Sequence, residues 1–171
     1  LPEPSPSPDQ MSATDLRAYM SADLAEIAPP NTKILRWCKP LTRTETKIDG
    51  HSTTVRRALQ WPRLLNDELK EKLHSDIALR KPKEKVQQVH LGEWAVTEDE
   101  EKSFHQLIFE EKVRNMFGMH VVVDGKRYVL RMKRLCMGFF KAADITNCFT
   151  TVLASMVTAV PQANIDIHVD N

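Results

Sequence analysis

The chain has 171 residues, with 24 Lys and Arg against 23 Asp and Glu, a formal net charge of +1, and three cysteines. That length suits about one domain with one sizeable core and excludes a large multidomain enzyme. Overall charge does not announce a nucleic-acid binder, but its distribution is uneven. Residues 1–30 set Glu3, Asp9, Asp15, Asp23 and Glu26 against Arg17 alone, whereas residues 31–90 are basic and are where a polyanion would sit.

Cys38, Cys136 and Cys148 are odd in number and show no Cys-x-x-Cys spacing, so neither a disulfide framework nor a zinc site is expected, and an intracellular, reducing setting is the default. No run approaches the roughly 18 apolar residues of a membrane span, and the leading stretch is Pro- and Ser-rich rather than basic then apolar, so neither a membrane helix nor a signal peptide is expected.

Leu1 to Gln10 carries Pro2, Pro4, Pro6 and Pro8, which cannot donate to a regular ladder, and is expected to be extended or disordered. Thr14 and Asp15 can cap a helix with Leu16, Tyr19, Met20, Leu24 and Ile27 on one face, ending before Pro29-Pro30. Lys39 to Trp61 alternates, is rich in Thr and Val, and holds Asp49-Gly50 at its middle, which predicts a hairpin. Pro62 closes the second strand, and Asn66-Asp67 precede a polar helical stretch to Leu73. Pro82 to Gly92 predicts another short helix, and Trp94-Ala95-Val96 a short strand leading to Asp99.

Phe104, Leu107 and Ile108 then keep helical spacing. The clearest hairpin is Met119 to Met132, where Asp124-Gly125 supplies the positive φ angles of a type I′ turn. Lys141 to Ala159 predicts a helix with Ile145, Phe149, Val152, Leu153 and Met156 on one face, stopped by Pro161. Ile165 to Val169 is a β-branched, alternating strand with Asp170 and Asn171 at its exit. Strands and helices mixed in this order predict an α+β fold with antiparallel sheets. Two polar groups at a strand end are half of a metal site. A second carboxylate would complete it, because hard cations such as Mg²⁺ take oxygen ligands, and Asp99 is placed to be that partner.

Four stretches in order carry a resemblance. They are Val55 to Asn66, with Arg57 and Arg63-Leu64-Leu65-Asn66; Asp99 to Gln106, with Phe104-His105-Gln106; Leu135-Cys136-Met137-Gly138-Phe139-Phe140-Lys141; and Ile167-His168-Val169-Asp170-Asn171. Together they make residues 40–171 similar to the fingers and first part of the palm of a retrotransposon reverse transcriptase, in tone like the tyrosine-recombinase retroelements of the DIRS type. The resemblance implies a right-hand polymerase fold truncated before the thumb. Residues 1–30 would be a Pro/Ser-rich disordered tail and leading helix, 31–93 a fingers-like region and 94–171 a partial palm.

The resemblance further implies that Arg57, with Lys47 near the hairpin tip, reaches the triphosphate of an incoming deoxynucleotide, and it places Arg63 and Gln106 among the nucleotide-binding residues. Guanidinium forks and a point-charge ammonium suit phosphate oxygens. Phe104 would wall off a ribose 2′-hydroxyl, and Gly138 would let the backbone lie against base and sugar, where a Cβ has no room. Asp99 and Asp170, with Asn171, would hold two Mg²⁺ ions, or Mn²⁺, about 3.5 to 4 Å apart for phosphoryl transfer on an RNA template and DNA primer.

Three departures stand out: Cys136 replaces a proline, His168 a tyrosine, and Asn171 a second aspartate, which removes one negative charge from the metal site. The chain stops at Asn171, before the return strand, primer grip and thumb, so the expectation is a fragment of a longer polyprotein or a decayed copy. Its final strand would be an open edge, free to pair with another chain or with the remainder of a polymerase. The alternative left open is a non-catalytic nucleic-acid-binding or assembly module that kept the fold. A plain α+β interaction domain with coincidental motifs is the third reading.

Overall fold

The structure, a computed structural model, describes residues 1–49, 51–73 and 103–156, and for 42–49 and 51–58 the backbone alone. The fold is mixed α and β, with small, mainly antiparallel sheets and short helices, as an α+β class requires. Its centre is the hairpin of β5 (Gly118–Val123) and β6 (Lys126–Met132). The turn between them has φ of 50° at Asp124 and 77° at Gly125, the left-handed pair of a type I′ turn, as the Asp-Gly dipeptide predicts. Alternation sends Met119, Val121 and Val123 of β5 inward, where they join Leu130 and Met132 of β6 in the core.

Two short strands flank this hairpin. β1 (Asp9–Gln10) runs parallel to β5, and β2 (Ala25–Ile27) runs antiparallel to β6, giving the order β1-β5-β6-β2. Residues 1–10 are thus the extended form of the two expected: Met11 N–H continues the pairing by donating to Val122 O at 3.0 Å. A second sheet is the long hairpin of β3 (Lys39–Asp49) and β4 (His51–Trp61), in the register Lys39 opposite Trp61 through Asp49 opposite His51. The hairpin predicted over Lys39 to Trp61 is therefore present, with Gly50 outside the described residues.

The first helix differs from expectation. α1 spans Ala13–Ser21, capped by Ser12 rather than Thr14 or Asp15. Asp15 N–H donates to Ser12 Oγ at 3.0 Å, and Ser12 Oγ–H donates back to the Asp15 carboxylate at 2.7 Å. It stops about two turns short of Pro29 in sequence terms, at a Schellman closure: Leu24 N–H donates to Tyr19 O and Asp23 N–H to Met20 O, with Asp23 at φ 54°. Lys133 and Arg134 bind the Asp23 carboxylate and lower its pKa, the Lys133 hydrogen bond first. Those cations reward the left-handed break, and Ala25 to Ile27 then serve as an edge strand. Helical spacing of Leu24 and Ile27 was a coincidence of composition.

α2 (Arg63–Lys70) begins directly after Pro62, earlier than Asn66-Asp67 suggests, so Asn66 sits inside the helix. After α3 (Ser103–Gln106) the expected helix through Ile108 breaks, because the backbone of 133–135 offers partners. Ile108 bridges Arg134, Phe109 N–H donates to Lys133 O and Leu135 N–H to Leu107 O. α4 (Glu111–Arg114) follows, and its Glu111 joins Glu26 in pairing with the buried Arg131 guanidinium. α5 (Ala142–Ser155) occupies most of the predicted last helix. The helix predicted over 82–92 and the strands 94–96 and 165–169 lie outside the described residues.

Candidate functional site

The described residues bring three of the four motif-like stretches into one unit, centred on the turn Cys136 to Lys141. Asn66 is the joint. It is only 4% exposed, its side-chain amide donates to Gly138 O at 2.8 Å, and its Oδ1 accepts from Phe140 N–H at 3.1 Å. One side chain on α2 thereby satisfies both polar groups of the turn, and it can do so only because the helix starts at Arg63 and turns position 66 inward.

Gly138 is held from the other side by β4. A Cβ at this position would overlap Gln60 O and lie 3.0 Å from Trp61 Cα and 3.1 Å from the Gln60 carbonyl carbon. The neighbour that forbids a side chain at Gly138 is therefore the protein's own strand, a reason for glycine that needs no bound base or sugar. Gln60 is fully buried, and its amide donates to the Tyr19 hydroxyl at 2.9 Å. Burial pushes the Tyr19 phenol up to about 12, with the Gln60 hydrogen bond opposing. Cys136, standing where the resemblance implies a proline, is buried beside Cys38, whose thiol burial pushes well upward.

An aromatic chain fixes the turn to the core. Phe109 stacks on Phe117 with centroids 4.6 Å apart, Phe117 meets Phe139 edge-on at 5.4 Å, and Phe139 meets Phe140 edge-on at 5.5 Å. The Lys141 ammonium lies 5.4 Å from the Phe140 centroid and pairs with Asp144 at 2.8 Å. The second stretch joins through the backbone. Arg134 Nη1 donates to His105 O at 2.9 Å, and Leu135 N–H donates to Leu107 O at 3.0 Å. This places α3, with half-buried Phe104 and exposed Gln106, at the entrance to the same turn.

Beside the turn, Trp61 is 41% exposed, and the Arg63 guanidinium lies 5.8 Å from its ring centroid with a side chain 69% exposed. Arg63 also lies 3.8 Å from Asp67, one turn along α2. An exposed indole with a guanidinium over it is chemically suited to stacking a base and pairing a phosphate.

The remaining expected residues are described in backbone only or lie outside the described residues. Backbone register puts Lys47 opposite Thr53 and Arg57 opposite Arg43 in the β3–β4 ladder, and their side chains lie outside what is described. Asp99, Asp170 and Asn171, the expected Mg²⁺ ligands, lie outside the described residues. Among the described residues, no three His, Cys, Asp or Glu side chains converge as a metal site, and no helix is long and apolar enough to cross a membrane.

Asn66, Gln60, Tyr19 and Trp61 were not among the sequence-derived site residues. The signal for Asn66 was available: Pro62 starts a helix, which sets a lone Asn on the same side as Leu65 and Leu69. Nothing in the sequence pointed to the Gln60–Tyr19 pair, which spans forty-one positions. No protein-family model matches the chain, and no curated protein matches it.

Proposed function

We propose that this chain is a fingers and partial-palm piece of a retroelement reverse transcriptase, an RNA-directed DNA polymerase by descent, of right-hand fold. The observation that carries the reading is the double hydrogen bond of Asn66 to Gly138 O and Phe140 N–H. It ties the Arg63-Leu64-Leu65-Asn66 stretch to the Leu135-Cys136-Met137-Gly138 stretch, two sequence features recognised independently and seventy-two positions apart. Phe104-His105-Gln106 reaches the same place through Leu107 and Arg134. Coincidental motifs have no reason to share one turn.

In this reading Trp61 and Arg63 form a ledge for the RNA template, Gly138 lets the turn pack close against the β4 strand that carries Trp61, and Phe104 borders the deoxynucleotide. Lys47 and Arg57 on the long hairpin approach the triphosphate, with Gln106 at the α3 end. Mg²⁺ held by Asp99 and Asp170, with Asn171 contributing an amide oxygen, would neutralise charge on the transferring phosphoryl group. A second reading, a nucleic-acid-binding or assembly module without catalysis, is favoured by Asn171 in place of an acid and by a Trp61–Arg63 ledge that needs no metal.

Titration of Mn²⁺ or Mg²⁺ with a deoxynucleoside triphosphate tests the first reading on the parent chain, Asp99→Asn and Asp170→Asn. Metal-dependent binding lost in both variants supports the polymerase palm. Binding indifferent to metal and to both substitutions removes it and leaves the module.

A further inference from the structure

We propose that the face formed by Arg36, Trp37 and His120 is a recognition groove for extended proline-rich polypeptide carrying an acidic residue, filled in this structure by the chain's own residues 1–8. A proline has no N–H, so the backbone group it leaves for recognition is the carbonyl, and a groove for such a ligand must supply donors from elsewhere. This face does so. Arg36 Nη1 donates to Leu1 O at 2.9 Å, the Trp37 indole N–H donates to Glu3 O at 3.4 Å, and His120 Nδ1 lies 2.9 Å from Pro6 O and 3.0 Å from Ser5 Oγ. The carbonyls met by Trp37 and His120 are three residues apart, one turn of a polyproline II helix. The two rings stand side by side, centroids 6.1 Å apart.

Glu3 sets direction and selects charge. Its carboxylate accepts from Trp37 backbone N–H at 3.0 Å and lies 3.6 Å from Arg36 Nε, while its own N–H donates to Leu35 O at 3.0 Å. Leu1 and Pro2 form one wall of an open cleft of about 470 Å³ whose other walls are Lys33, Leu35, Arg36 and Met116. Alternate prolines keep the occupant extended before it docks, which lowers the ordering cost. Held in the same chain, it competes with any outside ligand, so apparent affinity for a partner falls by the fraction of time the groove is filled. The partner is another protein's proline-rich segment with a carboxylate three residues before a carbonyl met by His120. Arg36 also donates through Nη2 to Glu68 of α2 at 2.8 Å, so the groove abuts the helix that carries Asn66 but uses none of the Gly138 turn's contacts, and it stands whether or not the chain is a polymerase.

The test uses the full chain and a fluorescein-labelled peptide of the sequence Leu-Pro-Glu-Pro-Ser-Pro-Ser-Pro-Asp-Gln, read by anisotropy. Glu3→Ala with Ser5→Ala weakens the resident segment, and this double variant should bind the probe at least tenfold more tightly than the parent. Adding Trp37→Phe, which keeps a ring and removes the donor, should reverse the gain. If Trp37→Phe loses its far-ultraviolet circular dichroism, His120→Ala, at a half-buried position of β5, carries the same comparison. Equal affinity in parent and double variant, or binding untouched by both groove substitutions, overturns the proposal. Dimerisation of the parent that the probe reverses would make a second copy the occupant and overturn the assignment to another protein.

Discussion

The turn at Asp124-Gly125 and the turn at Met137-Gly138 both contain glycine, both lie beside a cation over an aromatic ring, and are built on opposite logic. At Gly125 φ is 77° and nothing lies within 4 Å of where a Cβ would be. Its glycine answers a local backbone demand, and the pair beside it, Lys126 over Tyr128 at 5.3 Å, belongs to one strand. At Gly138 the demand is tertiary: β4 lies against one side and Asn66 grips the other. A turn fixed by its own dihedrals closes a hairpin. One fixed by two distant elements holds a surface in place, as a site requires.

Substitution separates the two. Gly138→Ala drives a methyl into the Gln60 carbonyl, backbone against backbone, and should cost about 3 kcal/mol in urea unfolding. Asn66→Ala leaves a part-buried carbonyl and a part-buried N–H without their partner and should cost about 2 kcal/mol by the same measurement. The alkaline limb tests the layer beneath the turn. Tyr19 keeps its proton in the folded chain to about 12, whereas an unfolded tyrosine loses it near 10, so stability present below pH ~10 declines as pH rises through ~12. The loss is on the order of 3 kcal/mol, and Tyr19→Phe should flatten that slope.

Gly125→Ala should cost only about 1 kcal/mol, the strain of a left-handed alanine, and leave the Gly138 turn unaffected. The smallest effect is expected at Asp23. Its lowered carboxyl contributes stability above about pH 4 that is lost as pH falls, and Asp23→Asn, which tolerates the positive φ, should shallow the acid limb of the unfolding profile.

The same contrast explains what the sequence made legible. Asp124-Gly125 and the alternation around it specify their hairpin with information inside fourteen residues, so both hairpins and the α+β class followed from pattern. The break at Asp23 depends on Lys133 and Arg134, more than a hundred positions away, whereas Ser12 caps the helix through Asp15, three positions on, a local signal that the Thr14-Asp15 pair obscured. The early start of α2 was signalled by Pro62. Gly138 was singled out for a backbone lying against base and sugar, whereas the body that the structure places where its Cβ would be is β4, which no local pattern could name. Asn66 lay within the resemblance, and its role became visible only once its two partners were adjacent.

The most direct measurement compares the two cation–aromatic pairs as nucleic-acid contacts. An RNA–DNA hybrid with an unpaired RNA overhang is titrated with the parent chain, Trp61→Ala, Arg63→Ala, Tyr128→Ala and Lys126→Ala at two salt concentrations. The account predicts that Trp61→Ala costs about 1 to 3 kcal/mol of binding and that Arg63→Ala weakens binding and reduces its salt dependence, while the Tyr128 and Lys126 variants bind as the parent does. Equal losses at both turns, or losses confined to Lys126 and Tyr128, would contradict the assignment of the Gly138 turn as the functional surface.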